Sequence, residues 1–201
     1  MARLLTLTLL AGLSVLLAAC ASEPAPPAFD HGAPLSDASI YQHDAVWETD
    51  AETTATLADL RGTPVALAMV YADCGTACPM IVHDMKQIGK AVAGTDGDVP
   101  LRYVLVTLDP ARDTPEHLRR FRGMHQLGDD WTMLRGSDDA IQTLAALLSV
   151  RYRPDVDGSI AHSNIITLLD AGGEIVVQQE GLGTDPAPAV AALHTAITNN
   201  R

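Results

Sequence analysis

Positive charge and cysteine are both scarce in this chain. Its 201 residues hold 13 Lys and Arg against 25 Asp and Glu, a formal charge of −12. A surface this acidic repels phosphate backbones and argues against nucleic-acid binding; it draws cations and basic protein patches instead. Only three cysteines occur, at positions 20, 74 and 78, too few for a disulfide scaffold, and the chain is long enough to bury a core without one. No internal repeat is present, and the length suits a single domain.

The long apolar run is confined to the start, MARLLTLTLLAGLSVLLAAC, where Arg3 is the only charge before Cys20. Leu17-Ala18-Ala19-Cys20 resembles the lipobox of bacterial lipoproteins. It predicts residues 1–19 as a signal peptide and Cys20 as the lipidated first residue of the mature chain. The alternative is an uncleaved anchor helix. Either one tethers the domain to a membrane of the bacterial cell envelope, facing the periplasm, with inner or outer membrane left open. Residues 20–38 are rich in Pro and Ala and lack apolar periodicity, so they read as an extended tether carrying a solvated His31. The folded domain is expected over residues 39–201. With Cys20 lipidated, Cys74 and Cys78 are left with each other, a metal or a partner.

Pro64–Ala72 and Leu101–Leu108 are apolar on both parities, as strands covered on both faces are. Ile81, Met85, Ile88 and Val92 between them recur at helical spacing, with Gly94 to end the helix. Thr114 and Pro115 are an N-cap and first residue for a helix to about His125, with Leu118 and Phe121 inward. Trp131–Leu134 is a short strand, and Ser137 caps a helix bearing Ile141, Leu144, Ala145 and Leu148. Asn164–Leu169 and Glu174–Gln179 flank Asp170-Ala171-Gly172-Gly173 as a hairpin. Asp185-Pro186 opens a last helix with Val190, Leu193 and Ile197 on one face. The expected fold is α/β, a thioredoxin-like sandwich with a central mixed sheet and flanking helices. Tyr41–Glu48 adds an N-terminal strand or hairpin.

Cys74-Gly75-Thr76-Ala77-Cys78-Pro79 falls at the end of the first buried strand, where open α/β folds gather reactive groups. Pro79 suits the first turn of the helix, and the positive helix end is expected to lower the Cys78 pKa. A disulfide here closes a loop of three residues, which is a poor staple. Redox or metal chemistry is the better use. One residue more than C-x-x-C separates the pair, and the segment Gly158–Asn164, expected to face the cysteines, carries His162 and no proline. Two thiolates and an imidazole form a soft three-donor set that suits Cu(I), whereas structural zinc normally takes a fourth protein ligand.

Three segments together resemble the Sco/SenC family of copper proteins: Cys74–Pro79, Asp109-Pro110-Ala111-Arg112-Asp113-Thr114-Pro115, and Ala161-His162-Ser163-Asn164. The resemblance runs from about Val46 to Leu193. It implies a membrane-tethered thioredoxin-like domain that binds copper, as Cu(I), Cu(II) or both, through Cys74, Cys78 and His162. It further implies a partner, the copper-accepting subunit of cytochrome c oxidase or a related cuproenzyme, together with a copper donor or thiol reductant. The chain then either delivers copper or keeps the partner's thiols reduced. Cys74 and Cys78 serve as a redox pair if it is a thiol–disulfide oxidoreductase, and redox or copper sensing remains a further alternative. Gly75-Thr76-Ala77 departs from the family's usual loop, as does the segment ahead of His162.

Asp109 and Asp113 are expected to make a structural turn. Met85 is expected in the core, His83 and Asp84 on the solvated side of their helix, and His117 and His125 on a helix surface. Met80 is left undecided, and His43 and His194 carry no motif.

Overall fold

The strand that leads into the cysteine loop is Val65–Val70 (β3), and all six of its residues are buried. The computed structural model describes residues 30, 32–75, 77–94 and 99–199. The predicted signal peptide, Cys20, His31 and Thr76 lie outside them. Before β3 come a single 3-10 turn at Ile40–Gln42, the short strands Trp47–Thr49 (β1) and Thr54–Ala55 (β2), and a second 3-10 turn at Leu57–Leu60. The expected N-terminal extension is thus a hairpin, shifted a few residues along the chain.

After β3 follow Ala77–Ala93 (α1), Arg102–Thr107 (β4), Pro115–His125 (α2), Trp131–Arg135 (β5) and Asp138–Leu147 (α3). Then come Tyr152–Pro154 (β6), Ile160–His162 (β7), Ile165–Leu169 (β8), Ile175–Glu180 (β9) and Ala187–Asn199 (α4). The caps expected from the sequence form. Thr114 accepts from the His117 N–H at the start of α2, and Ser137 accepts from the Ala140 N–H at the start of α3.

Seven strands make one mixed sheet in the order β2-β1-β5-β4-β3-β8-β9. β3 and β4 are parallel, as are β4 and β5, while β8 runs antiparallel to β3 and β9 antiparallel to β8. The successive crossovers β3–α1–β4 and β4–α2–β5 place α1 and α2 side by side on one face. There Lys86 Nζ donates to the His125 carbonyl at 2.7 Å. α4 packs beside α1. The opposite face meets α3, just past which the Leu148 carbonyl accepts from Gln178 Nε2 at 2.8 Å. Ile81, Met85, Ile88 and Val92 are all buried, as their spacing requires.

β6 and β7 form a separate two-stranded hairpin that the sequence pattern does not announce. Its three-residue strands are too short for periodicity to register. Asp84 also departs from expectation. It is 4% exposed, because its Oδ2 accepts the Gly183 N–H at 2.8 Å from the β9–α4 connection. A polar residue on a helix reads as solvated until a distant backbone donor covers it.

Candidate metal centre

β3 stops at Val70, and the chain turns through a bond from the Cys74 N–H to the Tyr71 carbonyl at 3.3 Å. α1 then begins at Ala77, with Pro79 in its first turn, where a missing N–H costs nothing. Cys78 sits fully buried in this turn, and Cys74 sits half-buried in the loop. The two are not joined by a disulfide. The Cys78 N–H donates to Cys74 Sγ at 3.4 Å.

The lowering expected of the Cys78 pKa does not occur. Burial pushes the Cys78 thiol far up; the Tyr71 N–H opposes this, while the adjoining Cys74 sulfur and the Asp113 charge add to it. The N–H that the start of the helix offers points at Cys74 and not at Cys78, which loses its hydration and gains little in return.

The third donor arrives from across the sheet edge. His162 ends β7, held in register opposite Tyr152. Its Nδ1 lies 3.0 Å from the Ser163 carbonyl, so the neutral ring carries its proton there and presents the Nε2 lone pair. Burial lowers the His162 pKa, which favours that neutral form. One ligand atom each from Cys74, Cys78 and His162 fall within 4.8 Å of one another. Two thiols and an imidazole this close are a donor set that fits a soft cation such as Cu(I), once the thiols lose their protons. A shallow hollow of about 410 Å³, lined by Arg151, Tyr152, Arg153 and His162 among others, opens beside the imidazole.

Two anchors hold these elements. Asp113 is 1% exposed; its Oδ2 accepts the Ala72 N–H at 3.0 Å and also the Thr107 hydroxyl, fixing the backbone two residues before Cys74. Asp109 pairs with Arg112, and the same guanidinium donates to the Gly158 carbonyl in the turn of the β6–β7 hairpin. The turn expected at Asp109 and Asp113 thus also braces both halves of the centre. Burial raises the Asp113 pKa, against the two bonds it accepts.

Of the other residues singled out, Met80 is 40% exposed two positions past Cys78 and Met85 is 0% exposed in the core. His83 is exposed and bonded to Gln87, while His43 meets the Ala140 carbonyl. The His125 ring meets the Phe121 ring at 4.2 Å, tilted by 44°, and His194 lies half-buried on α4. His117 is no simple surface residue, since it contacts both Asp73 and Asp113. Sequence reasoning passed over Tyr71, whose ring meets the His162 ring edge-on at 6.0 Å. The available signal was its place directly between a buried strand and the cysteine loop.

The SCO1/SenC family model matches residues 42–198. The SCO1 protein homolog of Bacillus subtilis (strain 168) is 24% identical over 134 residues, 65% of this chain and 68% of its own length. Arabidopsis thaliana ScoI with copper bound superposes at a TM-score of 0.68 with 19% identity, covering 75% of this chain and 96% of that one. BsSco, described with a disulfide switch as a member of the Sco family of cytochrome c oxidase assembly proteins, superposes at 0.64 with 22% identity over 76% of this chain and 91% of its own.

Proposed function

This chain belongs to the SCO1/SenC family, and from that premise we propose that it is a membrane-tethered copper-binding protein serving a copper site of cytochrome c oxidase or a related envelope cuproenzyme. Cys74, Cys78 and His162 hold the ion. The observation that carries this reading is the convergence of their three donor atoms within 4.8 Å. The copper seen in Arabidopsis ScoI adds support.

Bound copper supplies a soft centre able to pass between thiolate sites by ligand exchange. The chain's own residues prepare for it. Cys74 and Cys78 give up their protons, and half-buried His162 offers Nε2 without first having to lose a proton. Forming a Cys74–Cys78 disulfide removes two of the three donors, so the redox state of the pair gates occupancy.

The test is Cu(I) competition titration of the full chain. One tight site is expected, strongly weakened in His162→Ala and abolished when both cysteines are replaced. Wild-type affinity in His162→Ala removes that residue from the site.

A second reading makes the cysteines a thiol–disulfide pair acting on a partner, without metal delivery. It draws on the two reduced, adjacent sulfurs and on the disulfide switch of BsSco. Rescue of oxidase assembly decides between the two: full rescue by His162→Ala favours thiol chemistry, and no rescue favours copper. The tether through Cys20 has its own test. Cys20→Ser releases the protein from membranes if that cysteine is lipidated and leaves it anchored if it is not.

A further inference from the structure

Beside the base of the β6–β7 hairpin lies an open cavity of about 670 Å³. Three parts of the fold wall it. The last turn of α3 contributes Ala145 and Ala146, the chain entering β6 contributes Arg151, and the start of β8 and end of β9 contribute Asn164 and Glu180. Arg151 and Glu180 bring opposite charges to one cavity without pairing with each other. Among the described residues neither side chain forms an ion pair or a hydrogen bond. Exposed charges are ordinarily just solvated, but two further features converge here. α3 ends without a basic residue in its last turn, so the negative end of its dipole is not offset. Asn164 Oδ1 is buried with no hydrogen-bond partner among the described residues, an unfavourable state for an amide oxygen.

We propose that this cavity binds a small zwitterion, an amino acid or short peptide, with its carboxylate on Arg151 and its ammonium toward Glu180, Asn164 Oδ1 and the end of α3. A guanidinium suits a carboxylate because it presents two parallel N–H donors. An ammonium is all donor, and Glu180 and Asn164 Oδ1 offer it acceptors. A molecule charged at both ends satisfies both walls at once, which a simple anion or cation cannot do. The volume falls within the range usual for small-molecule sites. Occupancy also reaches the imidazole. Ser163 lines the same cavity; its Oγ accepts the Arg151 N–H at 3.2 Å, and its carbonyl lies 3.0 Å from His162 Nδ1. A ligand held by Arg151 therefore bears on the residue that orients His162. The cavity is complete without a metal at the centre.

Isothermal titration calorimetry of the metal-free full chain tests the site, with L-alanine and tri-L-alanine as probes. At least one should give a saturable heat, and which one does so tells a free amino acid from a peptide. Arg151→Ala and Glu180→Gln should each weaken that binding about tenfold or more, the weight of one charge-assisted hydrogen bond. Both residues are exposed, so neither change threatens the fold. Arg153→Ala removes the same charge two residues on, outside this cavity, and should bind as wild type does. Acetate and methylammonium each carry one of the two charges and should give no saturable heat at the same concentrations. The inference is overturned if neither probe saturates, or if Arg151→Ala or Glu180→Gln keeps wild-type affinity. It is equally overturned if Arg153→Ala weakens binding as much as Arg151→Ala, or if acetate alone matches the zwitterion.

Discussion

His117 Nε2 lies 3.1 Å from Asp73 Oδ1, linking α2 to the residue just before Cys74. The other ring nitrogen lies 3.5 Å from Asp113 Oδ1 and 3.3 Å from the Arg112 carbonyl. The Asp73 carboxylate is 53% exposed, so the pair adds little to global stability. Its effect is local, because it adds a side-chain tie to a loop otherwise held by the Asp113 bond to Ala72 and by the bonds that Cys74 makes to Tyr71 and Cys78. His117→Ala is expected to cost less than about 1 kcal/mol, a fall of at most about 4 °C in Tm. Cys74 in the same variant should react severalfold faster with iodoacetamide. An unchanged rate shows that the loop holds its shape without the histidine.

Arg112 braces the other half of the centre, since it alone among the described residues joins Asp109 to the Gly158 carbonyl. Arg112→Ala should leave the sheet intact and raise amide exchange across residues 155–158. Cu(I) affinity should fall, by less than in His162→Ala, because the imidazole is kept and only its support is loosened. The Cys74–Cys78 exchange with dithiothreitol should not move. Protection at 155–158 equal to wild type means that the β6–β7 pairing holds the hairpin unaided.

Much of this frame is legible in the sequence because its signals are local. β3 and β4 are apolar on both parities since both faces of the central sheet are covered, and α1 repeats its buried residues at helical spacing. Thr114 and Ser137 cap the helices that follow them. The three donors are legible as residue types. What fails are features made by distant partners. Asp84 is buried by a backbone donor 99 positions away. The β6–β7 hairpin consists of two three-residue strands that pair only with each other. Cys78 lies at the positive end of a helix, yet its burial outweighs that field. Tyr71 reads as one more apolar strand residue until β7 folds back over it.

Gly173 turns the β8–β9 hairpin at φ +85°, and a Cβ there would lie 2.4 Å from Cδ2 of the buried Tyr41 ring. Gly173→Ala combines a left-handed backbone with overlap against a ring that is 2% exposed and cannot retreat. The expected loss is about 2–4 kcal/mol. Gly123 in α2 is the control, since a Cβ there would meet nothing within 4 Å and its φ is not left-handed. Gly123→Ala should stabilise the helix by roughly 0.5–1 kcal/mol. Urea denaturation of both variants checks the pair. Equal shifts in midpoint contradict the account of Gly173.

Two half-buried histidines set the acid limb of stability in the metal-free chain. The pKa of His162 is depressed by burial, and that of His125 by burial and then by Lys86. A depressed histidine binds its proton more readily in the unfolded chain, so protonation favours unfolding. As far as these two rings are concerned, stability should be flat from the ordinary value of 6.5 up to about pH 7.5 and fall as pH drops from 6.5 toward the folded values. Asp113 acts in the opposite sense. Its folded pKa is raised above 3.8 by burial, so its contribution is lost as pH rises past that value. Its slope therefore starts at lower pH, and the histidines govern the first decline below neutrality. Melting temperatures of the metal-free full chain measured from about pH 7.5 down to about pH 5 bracket the histidine window. His162→Gln and His125→Gln should each flatten the decline. If neither does, burial of these rings is not what couples stability to pH.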